Sequence, residues 1–112
     1  MAINVTIPAG ETNVTVDPLH QWDYGQILEI ESLDFVSESA EVHFSSLGLT
    51  EAIVESCSVS SGRYTVRIPD SCLEMGDDVT AWIYEIDGSN GKTTKKITIP
   101  VIARPRPSWT GE

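Results

Sequence analysis

The chain has 112 residues, enough for one domain with its own core, and 17 acidic against 7 basic side chains set a net charge of −10. That charge repels nucleic-acid phosphates and anionic lipid surfaces, so neither a nucleic acid nor a membrane is an expected partner. No stretch approaches the roughly 20 apolar residues of a membrane helix, and MAINVTIPAG lacks the basic and apolar regions of a secretory signal.

Apolar and polar residues alternate along most of the chain, the period-two signature of half-buried strands. The pattern starts with Ile3, Val5 and Ile7, and the Asn-Val-Thr sequons at Asn4 and Asn13 read as plain strand residues. Turn signals follow at PAGET and at Asp17-Pro18. HQWDYGQILEI, residues 20–30, then sets His20, Trp22 and Tyr24 at alternate positions ahead of a strand carrying Leu28 and Ile30. Gly25 in this stretch reads as a place where another backbone passes closely.

Val42 and Phe44 mark the next strand, and Tyr64, Val66 and Ile68 the one after the SSGR turn. Glu29, His43, Thr65 and Arg67 lie between these apolar residues and leave one face of each strand wet, which suits antiparallel sheets. IPDSCLEMG breaks the alternation and predicts a short helical turn near 70–75, capped by Asp70 or Ser71 and ended by Gly76. Cys57 and Cys72 form neither a CxxC pair nor a disulfide framework and read as buried thiols, with a bridge left open by spacing alone.

Strand 79–86, VTAWIYEI, is apolar on both faces: Val79, Ala81 and Ile83 on one, Trp82, Tyr84 and Ile86 on the other. A single core covers one face. We expect Trp22 and Tyr24 to fold over the second in a minicore with Trp82 and Tyr84, the alternative being that these four rings serve a partner interface. DGSNGK places Asn90-Gly91 at the turn of a hairpin joining 79–86 to 92–102, with Ile97, Ile99 and Val101 facing in. ARPRPSWTGE then leaves as an extended arm over 104–112, in which Arg104, Arg106 and Trp109 are candidate contacts.

About seven short strands at intervals near ten residues predict an all-β fold over 1–103: a single antiparallel, immunoglobulin-like β-sandwich. The Cys, Trp, Cys core of antibody domains is missing, so the architecture alone is implied.

Catalytic and ligand motifs are not found. No Ser or Cys stands in a nucleophile elbow beside a His, and His20 and His43 lie in separate segments. Glu74, Asp77 and Asp78 in EMGDD lack the pattern of a calcium loop and read as a solvated acidic stretch. Glu29 and Glu31 sit on one strand face as surface carboxylates, and DGSNGK is a hairpin turn without the strand-to-helix geometry of a phosphate cradle. We therefore expect no enzyme activity, no metal and no cofactor.

QWDYGQILEI (21–30), AEVHFS (40–45), VRIPDSCLEMGDDVTAWIYEI (66–86) and TTKKITIPVIARPRPSW (93–109) occur in this order over nearly the whole chain. In these blocks the sequence resembles the small N-terminal β-domains of tail and baseplate-associated structural proteins in phages and prophages of Gram-positive bacteria. Members of that family continue beyond the Arg-Pro stretch. The resemblance implies a non-enzymatic virion component, made in the host cytoplasm, that acts in assembly or attachment through other virion proteins and as a homo-oligomer in the particle. The alternative expectation is a carbohydrate-binding module that stacks host cell-surface glycan on Trp22, Tyr24, Trp82 or Trp109.

Overall fold

In a computed structural model the chain is described over residues 2–47 and 49–108; Trp109 lies outside these residues. Among the described residues eleven strands follow in order: β1 (Ala2–Thr6), β2 (Asn13–Thr15), β3 (Leu19–His20), β4 (Ile27–Glu31), β5 (Ser39–Ser46), β6 (Ile53–Ser56), β7 (Ser58–Ser60), β8 (Arg63–Arg67), β9 (Val79–Asp87), β10 (Asn90–Ile99) and β11 (Val101–Ile102). A 3-10 helix, Asp70–Glu74, lies between β8 and β9 where the helical turn is expected.

The strands form a four-stranded sheet, β1-β4-β8-β7, a five-stranded sheet, β2-β10-β9-β5-β6, and a two-stranded pair, β11-β3. The fold is all-β, and its sheets are mixed. β1 runs parallel to β4, β2 to β10 and β3 to β11, which corrects the expectation of purely antiparallel pairing. The count also exceeds seven, because the N-terminal segment is split into short pieces that pair first with one sheet and then with the other.

Inward residues of the two large sheets share one core. Every apolar residue assigned inward from the alternation is buried except Ile3, which packs half-exposed against that core. Phe35 and Leu73 join from a loop and the 3-10 helix, Phe35 stacking on Tyr64 with ring centroids 4.2 Å apart. The β6–β7 passage crosses from one large sheet to the other through half-buried Cys57.

The β9–β10 hairpin turns two residues earlier than expected. Asp87 pairs with Asn90, so Gly88 and Ser89 form the loop, and Gly88 takes the positive φ of 63°. Gly91 instead stands inside β10, beneath the Tyr84 ring, which occupies the space a side chain there would need. Beyond it, a bulge between Thr93 and Lys95 turns Lys95 inward, opposite Ile83.

The chain directions place the loops at two ends of a 45 × 26 × 24 Å molecule. One end carries loop 20–26, the 3-10 helix and residues 103–108; the other carries loops 7–12, 32–38, 61–62 and 88–89.

Candidate functional site

Loop 20–26 abandons the alternation its sequence suggests. Asp23 N–H donates to the His20 carbonyl at 3.2 Å, closing a turn in which Trp22 is the third residue and has φ 75°. Turns of this kind normally place Gly there, and a bulky residue in this region costs roughly 1–3 kcal/mol. The conformation is held from several sides. Asp23 accepts the His20 N–H at 2.8 Å, Trp22 N–H donates to the Leu73 carbonyl at 2.9 Å, and Trp22 Nε1 donates to the Arg104 carbonyl at 3.2 Å.

Gln21 links helix and arm at once. Its Nε2 donates to the Glu74 carbonyl at 2.8 Å, and its Oε1 accepts the Arg104 N–H at 3.2 Å. The Arg106 guanidinium lies 5.4 Å from the Trp22 ring centroid, a cation–π contact. Tyr24 sits edge-on to Trp22 at 6.5 Å and donates its hydroxyl to Glu74, a bond that raises the phenol pKa. The loop therefore clasps the arm to the 3-10 helix.

Several expectations change accordingly. Trp22 and Tyr24 do not cover strand 79–86; their partners are the helix and the arm, because the positive φ at Trp22 turns the loop that way. Gly25 has open space where a side chain would be; its φ is 76° and its N–H donates to Asp70 Oδ1 at 3.0 Å. Asp70 is thus engaged with Gly25 and Arg67, and the helix has Pro69 at its N-cap position with no side-chain capping bond. Gly76 follows the helix with φ 71°, as expected of a terminator.

Trp82 and Tyr84 project from the outer face of the five-stranded sheet. Trp82 is 38% exposed, its Nε1 donating to Ser45 Oγ at 3.1 Å and Lys96 Nζ lying 5.4 Å from its ring centroid. Tyr84 stacks on His43 with centroids 4.8 Å apart, and the His43 ring reaches Glu41 at 3.0 Å. One register row across the sheet reads Asn13, Lys96, Trp82, His43, Val54. The second apolar face of β9 is real, and its rings look outward.

Two further apolar points, missed in the sequence, lie at the loop end remote from the arm: Leu33 and Val36 are 91% and 86% exposed. They stand in SLDFVSES, where an apolar pair in a Ser- and acid-rich loop was the available signal.

Other polar groups tie loops and strands to the core. Lys95, 5% exposed, donates to Asp34 Oδ2 at 2.8 Å and to the Glu11 carbonyl, while Gly10 N–H donates to the same Asp34 oxygen at 2.8 Å. These donors hold the Asp34 carboxyl below its usual range. Buried Tyr64 donates to Glu85 Oε1 at 2.6 Å, and burial together with that bond pushes its phenol upward. Desolvation raises both Cys57 and Cys72 to about 11, as expected of free thiols away from activating charge.

In the acidic stretch Glu74 is tied to Tyr24 and Asp78 accepts the Val101 N–H at 3.3 Å. His20 pairs with Ile102 in the small sheet and His43 lies under Tyr84, so the two imidazoles occupy different elements. Among the described residues, no three His, Cys, Asp or Glu side chains converge as metal ligands, and no helix is long and apolar enough to cross a membrane. No protein-family model and no curated protein matches the chain.

Proposed function

We propose that this chain is a non-enzymatic structural interaction module of a phage or prophage virion, an assembly or attachment domain of the tail or baseplate built on an immunoglobulin-like β-sandwich. The outward group of Trp82, exposed, with half-buried Tyr84 and His43 beside it on the five-stranded sheet carries the reading, since pre-ordered surface aromatics beside a cation are the usual anchors of protein interfaces. The shared core of the two large sheets supports the sandwich assignment. The arm, clasped at one end, gives the module a defined direction relative to whatever is joined to it. Mass spectrometry of purified virions from the encoding phage or induced lysogen tests the proposal: the polypeptide is expected in the particle, and its absence would refute the reading.

Glycan recognition is the second reading, favoured by the polar groups of Glu41, Ser45, Thr80 and Lys96 around Trp82. On that reading Trp82→Ala abolishes binding to host cell-wall glycan and leaves particle assembly intact. On the first, the same substitution impairs assembly.

A further inference from the structure

Among the described residues β1 is an edge strand with a neighbour, β4, on one side only. Ile7 N–H donates to the Glu31 carbonyl at 2.8 Å, which sets the parity of the ladder. Odd residues 3, 5 and 7 aim their backbone groups at β4, so Ala2, Asn4 and Thr6 aim theirs at the open edge.

Natural edge strands are blunted by charge, Pro, bulges or brevity. The other free edges of the two large sheets comply: β2 and β7 have three residues each, and β6 carries Glu55. β1 has five residues, Ala-Ile-Asn-Val-Thr, with neither charge nor Pro, and pairs with β4 without a register break. Beside it the core is incompletely closed, where Ile3, Val14 and Val16 remain half-buried along a groove between β1 and the β2 segment.

We propose that this edge pairs with β1 of a second copy of the chain, antiparallel, about a two-fold axis at Asn4. The strand is self-complementary in that register. Asn4 faces Asn4 of the second copy as a hydrogen-bonded pair, and Ala2 faces Thr6 in the same way, using every outward backbone group of the strand. Ile3 falls opposite Val5 of the second copy on the inner face, so the half-closed seams of the two copies meet. The two four-stranded sheets become one of eight strands. This pairing rests on the edge geometry and stands apart from the virion reading.

Sedimentation velocity on the full chain over a concentration series up to about 1 mM tests it. The wild type is expected to pass from monomer to dimer, and a strict monomer throughout overturns the proposal. Asn4→Pro removes the outward N–H without touching the β4 ladder and should weaken association about tenfold or more. Because that variant could disturb the strand itself, Asn4→Lys and Asn4→Glu provide a second test. Each alone should associate more weakly than wild type, and an equimolar mixture should regain dimer, since only a two-fold axis at residue 4 brings that position against itself. Unchanged dimerisation of the single variants, or a mixture that stays monomeric, overturns the assignment.

Discussion

Trp22 and Arg104, 82 residues apart, are joined by a hydrogen bond from the indole Nε1 to the arginine carbonyl, while Arg106 covers the same ring. The residue with positive φ in loop 20–26 that is not glycine is thus also one of the two, with Gln21, that hold the arm. Trp22→Ala keeps the strain and removes the indole's share of the hold. Hydrogen exchange at the Arg104 amide, protected by Gln21, is expected to speed up by about tenfold or more. Trp22→Gly loses the same contacts and relieves the backbone, so it should be about 1 kcal/mol more stable than Trp22→Ala in urea unfolding. Equal stability of the two variants would show that the turn is not strained.

Tyr84 lies over Gly91 and stacks on His43, and this packing reverses a general rule. Gly to Ala within a strand ordinarily stabilises by roughly 0.5–1 kcal/mol. Here the added methyl group displaces the ring, so Gly91→Ala should destabilise by about 1–2 kcal/mol. In a Tyr84→Ala background the loss should shrink by about 1 kcal/mol, and a cycle without such coupling would contradict the packing.

Asp34 ties Gly10 of one loop to inward-facing Lys95 of β10. Its folded pKa is lowered, first by Lys95 and then by the Gly10 N–H, from an ordinary value of 3.8. The carboxylate therefore contributes stability above that value and loses it as pH falls through the lower folded pKa. Asp34→Asn should reduce the thermal midpoint at neutral pH, and the difference from wild type should close as the pH is taken well below 3.8. A pH-independent difference would remove the ion pair from the account.

Local pattern was sufficient for the core. Alternation alone assigned Val5, Ile7, Leu28, Ile30, Val42, Phe44, Tyr64, Val66, Ile68, Ile97, Ile99 and Val101 inward, because one buried face of a strand forces period two on the sequence. The same pattern extended two residues back from Ile97 reaches Lys95, whose inward direction was legible but whose partner, 61 residues away, was not. The helical turn at 70–74 was announced by Pro69 and closed by Gly76, both local effects of backbone dihedrals.

Tertiary structure decided the destinations of the rings and the strand partners. Alternation in HQWDYGQ carried no information about the turn at Trp22, since only the combined contacts with Leu73, Arg104 and Arg106 make a positive φ tolerable for so large a residue. Asn90-Gly91 satisfied the preferences of a hairpin turn, yet Gly88 took that role and Gly91 went under Tyr84, because the register follows burial across the whole ladder. Parallel pairing at the N-terminal edges depends on which sheet each short piece reaches, a choice made by long-range packing. The sequence by itself determined which residues face the core; which rings face solvent, and which edge of β1 stays open, only the assembled sheets could decide.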